Sequence, residues 1–428
     1  MLDKVQITTL KNGARVVSTC IPNAQSVVCG IWIKVGSRYE PDRLAGVSHF
    51  IEHLLFKGTK KRSALEISQS VEGLGGYLNA FTAEEMTCYF ARLPYEKAEQ
   101  AFDVLADMYR NPALPTDELE RERGVIIEEL RMYQDQPHSL VLEKLSEILW
   151  ANHPVGRGVG GTEEVIRRIT RKEIEAFRRS GYVPGATVFV FAGNIEHPAC
   201  VRMVEKVTGR RSAMAPLTCP AVTEKVAQHP LSLVRKDIEQ IHAALGFRIF
   251  GKDDPRRYVL RVFNGVLGDG MSSRLFQSVR EKRGLCYTIS SSSQLFAETG
   301  VLAVYAGLDR VRAAAGLRLT LKEIDRLRRV KVPAAELRRT KDYILGTFRL
   351  GLESTTNQMN WLGEGLLGYG RVTSPQEVID GIEAVTSADL QAFACELLTA
   401  DRLSLSLIVP EDDTSTESNW LEILKGYK

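Results

Sequence analysis

The spacing of apolar positions changes several times along the chain, and each change marks an element. Val5 to Cys20 and Ser26 to Val35 alternate or run apolar with β-branched residues, separated by Pro22-Asn23, and predict early strands. Leu44 to Phe56 and Ala64 to Leu74 carry helical spacing, and the second stops at the glycine-rich turn Gly73-Leu-Gly-Gly76. Tyr77 to Leu93 predicts two strands with a polar crossing at Ala83-Glu-Glu85, and Tyr95 to Arg110 a helix ended by Asn111-Pro112. Thr116 opens the next helix, with Asp117 and Glu118 in a first turn whose free N–H groups favour carboxylates. That helix is expected to run through Glu129 to Gln134, with Pro137 closing it. Thr187 to Phe191 is apolar on both faces and predicts a fully buried strand, and Trp361 with Gly363 to Gly370 reads as a helix and turn.

The second half of the chain repeats the first. Pro115-Thr-Asp-Glu118-Leu119 returns as Pro333-Ala-Ala-Glu336-Leu337, each opening a helix after a long αβ segment. Glu72, Gly75 and Tyr77 are mirrored, with a gap, by Glu281, Gly284 and Tyr287. The expectation is one α+β unit used twice, each an antiparallel-rich sheet with helices on one side. A proline-punctuated stretch (Pro216, Pro220, Pro230) places a linker at 216–230, between domains at 1–215 and 231–428. At the matched offset Glu122 becomes Thr340 and Glu129 becomes Thr347, so the second copy has lost whatever those carboxylates do.

Composition narrows the partners. The 428 residues carry 56 basic and 53 acidic side chains, a net charge of +3 that offers no field for a polyanion such as nucleic acid. No run approaches the roughly 18 apolar residues of a membrane span, and the first residues show no basic-then-apolar leader, so the expected address is the cytoplasm. Seven scattered cysteines without a Cys-x-x-Cys pair argue against a disulfide framework and a thiolate metal site. His138, His153, His197, His229 and His242 have no ligand spacing and read as structural or surface histidines.

The chemistry is concentrated in His49-Phe-Ile-Glu52-His53. On a helix, positions i and i+4 share a face, so both imidazoles can reach one metal ion, and Glu52 can stand beside it as a base without being a ligand. The same residues could decorate a solvated helix face. The apolar flanks Phe50, Ile51, Leu54, Leu55 and Phe56 argue for a buried helix instead, where charged groups need partners or a metal. Zinc in a catalytic site takes three protein ligands and leaves one position open. The acidic helix Glu118 to Glu129 offers candidates for the third ligand, and spacing alone does not choose between Glu128 and Glu129.

His49 through Thr59 (HFIEHLLFKGT) resembles the signature of the M16 metallopeptidases, the family of pitrilysin, insulin-degrading enzyme and the mitochondrial processing peptidase. The resemblance covers nearly the whole chain and includes Gly75 to Thr82 (GGYLNAFT), Glu122 to Glu129 (ERGVIIEE), Gly161 to Glu164, Ser272 to Gln277 and Arg280 to Tyr287. The glycine run before Met271, Gly268-Asp-Gly270, is one glycine poorer than the family's. The size resembles the short two-domain bacterial branch, in which the two domains form half of a clam-shell.

The resemblance implies a metalloendopeptidase with one Zn2+ per chain, held by His49, His53 and Glu129, with Glu52 as general base. It places the family's outer acid on Glu122, seven residues before Glu129 and so on the same helix face. It makes Asn79, Ala80 and Phe81 a substrate-binding edge strand. It makes Arg280 and Tyr287 a pair that binds substrate and steadies the oxyanion, contributed by a partner subunit in a chamber that admits peptides or unfolded segments. That partner is expected to be a second copy in a symmetric homodimer, or a paralogous subunit. Two other roles belong to the same fold, a non-catalytic partner subunit and a peptide-binding holdase.

Overall fold

The computed structural model describes residues 5–208, 214–222 and 231–427. Of the linker expected at 216–230, residues 223–230 lie outside the described residues, as does His229. The chain forms two compact units, each assembled from three segments. The first comprises Met1–Arg131, Arg157–Pro220 and Arg349–Ser374, and the second Met132–Gly156, Ala221–Phe348 and Pro375–Lys428.

The first unit is built on a six-stranded sheet. Its strands are β1 (Val5–Thr9), β2 (Arg15–Cys20), β3 (Ser26–Ile33), β4 (Tyr77–Thr82), β5 (Thr87–Pro94) and β6 (Thr187–Gly193), in the order β1-β2-β6-β3-β5-β4. Only β2 and β6 pair in parallel. The stretch Val5 to Cys20 is therefore a hairpin. Gly13 adopts φ +88°, open to glycine, and Asn12 Oδ1 accepts the Ala14 N–H at 3.1 Å to close the turn. β6 is buried at every position, as its apolar run predicts.

The second unit holds β7 (Leu231–Lys236), β8 (Ile241–Phe250), β9 (Cys286–Leu295), β10 (Thr299–Leu308) and β11 (Leu403–Pro410), in the order β7-β11-β8-β10-β9. Without β1, the first sheet reads in the same order, with β7 standing for β2 and β11 for β6. The parallel pair β7/β11 also matches β2/β6. Gly75 before β4 and Gly284 before β9 both take positive φ, +75° and +55°. The fold is two matching α+β units, as the internal repeat predicts.

Helices α1 (Val47–Leu55), α2 (Ala64–Glu72), α3 (Ala98–Arg110) and α4 (Thr116–Gln134) follow the predicted segments. Pro137 starts a helix rather than closing one. It is the first residue of α5 (Pro137–Leu149), where a missing N–H costs nothing. The helix Ala334–Gly351 answers α4, and in both the fourth residue on (Leu119, Leu337) donates its N–H to the proline carbonyl (Pro115, Pro333).

Each unit takes one helix from the other half of the chain. In the first unit, the helix Thr355–Gly368 covers β3 and β6 on the side of Gly30 and Trp32, opposite the Cys29 and Ile31 side on which α3 packs. Helices therefore lie on both faces of this sheet rather than on the one expected. There Trp32 Nε1 donates to Met359 Sδ at 3.0 Å, while a Cβ on Gly363 would stand 2.3 Å from the Trp32 ring. In the second, α5 packs Leu145 and Leu149 onto β8, where a Cβ on Gly246 would meet both at 3.0 Å. Among the described residues, no helix is long and apolar enough to cross a membrane. The Gly363→Ala variant, which forces Trp32 from its seat, should lose about 1–3 kcal/mol of stability, read as a lower urea midpoint.

Candidate metal centre

α1 is amphipathic in a way that decides the site. Val47, Phe50, Ile51, Leu54 and Leu55 are buried in the core of the first unit, turning His49, Glu52 and His53 to the remaining face. The helix starts at Val47, three residues later than the apolar spacing predicts, because Gly46 is held in the left-handed region at φ +92°. A Cβ there would lie 2.3 Å from the Gly160 carbonyl oxygen. The first-turn N–H groups are met by a buried carboxylate: Glu40 Oε2 accepts from Gly46 N and Oε1 from Ser48 N, both at 2.7 Å.

α4 brings its acidic face to the same place. Glu129 Oε2 lies 3.8 Å from His49 Nε2 and 3.5 Å from His53 Nε2. The three ligand atoms all lie within 4.8 Å of one another. These separations are longer than good hydrogen bonds and close to the roughly 3.4 Å between ligands that stand about 2.1 Å from a tetrahedral ion. Glu122, two turns earlier, accepts from His53 Nδ1 at 3.0 Å, and Lys57 Nζ pairs with its other oxygen at 2.8 Å. The carboxylate thus fixes the tautomer that leaves His53 Nε2 free for a metal. Two imidazoles and a carboxylate also form a donor set that suits zinc. The residues present fit the ion.

The electrostatics agree with those roles. Burial pulls His49 down to about 4, helped by His53 and opposed by Glu129, so its imidazole is neutral at pH 7. Burial also opposes charge on His53, but the neighbouring Glu129 and Glu122 carboxylates outweigh it and raise its pKa. Glu52 is raised, chiefly by burial, against a hydrogen bond donated by Thr82 Oγ1 to its Oε2 at 2.5 Å.

The other predicted residues lie in two places. Asn79, Ala80 and Phe81 are on β4, which among the described residues pairs only with β5 and so is an edge strand. Asn79 Oδ1 accepts the Ala80 N–H at 2.8 Å, its Nδ2 donates to Tyr77 Oη, and Phe81 packs edge-on against Trp32. Arg280 and Tyr287 belong to the second unit. Arg280 sits on a π-helical turn, Phe276–Glu281, with its guanidinium carbon 4.5 Å from the Phe276 ring centre and 5.4 Å from that of Tyr287. Tyr287 itself is 76% exposed. Glu40, Lys57 and Thr82 were not predicted as site residues. Lys57 and Thr82 lie inside the quoted motif runs, but nothing local to Glu40 marks it as a cap for a helix six residues on.

Fold and site together define a class: a duplicated α+β protein with a His–His–Glu cluster on one of its two units. Residues 15–163 match the family model for insulinase (peptidase family M16), and residues 168–344 that for the peptidase M16 inactive domain. A protein of Mycobacterium tuberculosis named as an uncharacterized zinc protease is 39% identical over 395 residues, covering 92% of this chain and 90% of its own. One of Bacillus subtilis with the same description is 37% identical over 404 residues, covering 94% and 97%. The crystal structure of a protease from Helicobacter pylori superposes with a TM-score of 0.90 at 24% identity, over 96% of this chain and all of that one. The chain belongs to peptidase family M16.

The cap on α1 carries a pH signature. Burial pushes the Glu40 carboxyl up to about 7 from its ordinary 4.5, against the Ser48 and Gly46 N–H groups and the charge of Arg157. Native Glu40 therefore holds a proton that the unfolded chain releases, and its contribution to stability falls as pH rises from about 4.5 to 7. Urea midpoints across that window should depend less on pH in Glu40→Gln than in wild type.

Proposed function

We propose that the protein is a zinc-dependent metalloendopeptidase that cleaves peptides or unfolded segments. The observation that carries this reading is the convergence of His49, His53 and Glu129 on one point, with Glu52 on the same helix face. Those three side chains would hold one ion per chain. When bound, zinc supplies a Lewis acid that polarises a carbonyl and brings the pKa of a water toward about 7.

Glu52 takes a proton from the attacking water and returns it to the departing amine. Its burial, which raises its affinity for that proton, suits both halves of the transfer. Glu122 orients His53, and Lys57 keeps Glu122 in place. Substrate adds to the free edge of β4 along Asn79, Ala80 and Phe81 through main-chain hydrogen bonds. Arg280 and Tyr287, supplied by a second copy in a symmetric dimer, bind substrate and steady the developing oxyanion. The relatives named as zinc proteases support the metal and the reaction class. The M16 inactive-domain match lies over 168–344, beyond all three cluster residues, and agrees with Thr340 standing where α4 has Glu122.

Metal content measured beside hydrolysis of a quenched unstructured peptide tests the reading. Wild type and Glu52→Gln should each bind about one zinc, with hydrolysis in the variant lower by about 10²–10⁴-fold and abolished in both by chelator. Zinc bound without hydrolysis in wild type would sink the peptidase and favour a scaffold or holdase role. Glu122→Gln should weaken zinc binding about 10–100-fold in a competitive chelator titration.

A further inference from the structure

Glu52 is a long side chain, and its place on α1 does not by itself fix where its carboxylate points. The contact that fixes it comes from β4. Residues along that strand alternate in face, so Tyr77, Asn79 and Phe81 turn one way while Leu78, Ala80 and Thr82 turn toward α1. Thr82 is the last residue of the strand, and its hydroxyl donates to Glu52 Oε2 at 2.5 Å. One carboxylate oxygen is thereby engaged and the other is left to exchange a proton with water.

The arm that makes this contact is itself held from behind. Thr82 pairs with Thr87 across the β4–β5 turn, and Thr87 Oγ1 donates to the Val35 carbonyl at 2.8 Å. Ala83 N donates to Met86 O at 2.8 Å, closing the turn. The chain at Gly36 to Arg38 then grips the turn from outside: Ser37 N reaches Ala83 O at 3.3 Å and Arg38 N reaches Glu84 O at 2.9 Å. The buried Arg38 guanidinium pairs with Glu85 at 2.6 Å. The approach is so close that a Cβ on Gly36 would stand 2.0 Å from Ala83 O. Threonine is also stiff at χ1, so a fixed backbone here means a fixed hydroxyl.

We infer that Thr82 is a positioning residue for the base: the strand whose edge receives the substrate also aims Glu52. The inference rests on the reading of Glu52 as general base and adds a residue that acts through it. The donor at Oε2 holds the carboxylate in the orientation that proton transfer needs, and the clamped turn keeps the donor still. Substrate pairing along Asn79 to Phe81 and orientation of the base are thus set by consecutive residues of one strand.

The test compares wild type, Thr82→Val (nearly the same shape without the hydroxyl) and Thr82→Ser, each loaded with zinc. In Thr82→Val, kcat should fall about 10–100-fold with KM within about twofold and zinc content unchanged, and Thr82→Ser should recover most of the loss. Crystal structures of the three metal-free proteins give a readout independent of turnover. Glu52 should keep its orientation in wild type and Thr82→Ser, and swing or split between rotamers in Thr82→Val. A Thr82→Val enzyme with unchanged kcat, a Thr82→Ser enzyme no better than Thr82→Val, or an unmoved Glu52 in the Thr82→Val crystal would overturn the inference. If zinc-loaded wild type hydrolyses nothing, the peptidase reading falls by itself, and the orientation of Glu52 in the three crystals still decides whether Thr82 holds it.

Discussion

The site depends on how firmly a nine-residue helix is held. A helix of that length has little stability of its own in water, so α1 exists because its apolar side is buried and its first turn is capped. Phe50, Ile51, Leu54 and Leu55 fix its rotation about its axis. Glu40, reaching over the left-handed Gly46, meets N–H groups that burial would otherwise leave unpaired. With rotation and start both fixed, His49, Glu52 and His53 have one direction left to face. The histidine pair, the approach of Glu129 and the contact from Thr82 all follow from that constraint.

Around this helix the polar groups form a chain of oriented partners. Lys57 pairs with Glu122, Glu122 holds His53, and Thr82 holds Glu52. Each link fixes the next side chain inward, so His53 and Glu52 take their orientation from Glu122 and Thr82. The cost of burying these charges is visible in the depressed pKa of His49 and the raised pKa of Glu52. Both shifts favour a neutral ligand and a proton-accepting carboxylate of higher basicity, and so serve the proposed chemistry.

The second unit shows what the fold is without this apparatus. It repeats the strand order, the parallel pair and the glycine turn before the edge strand, and its helix Ala334–Gly351 starts at the residue that answers the start of α4. Thr340 and Thr347 stand where α4 has Glu122 and Glu129, and Thr340 is buried against Gly265 rather than facing an imidazole. The two units thus share a scaffold, and the His49–His53–Glu129 cluster lies on the first of them. Arg280 and Tyr287 give the second unit a different feature, a cation between two aromatic rings on a π-helical turn.

The residues that touch through local periodicity could be read directly from the sequence. His49, Glu52 and His53 are neighbours because helical spacing puts them on one face, and Glu122 and Glu129 because seven residues make two turns. The family motif chose Glu129 over Glu128, which spacing could not. Tertiary structure decided everything that crosses elements. Glu40 reaches a turn six residues on, Thr82 reaches Glu52 from another strand, and Gly36 yields to the Ala83 carbonyl, none of which leaves a periodic trace. The exchanged helices make the same point at larger scale. The apolar faces of Pro137–Leu149 and Thr355–Gly368 say that each must be covered. Hydrophobic burial is non-directional, so only the assembled packing selects the sheet of the other half.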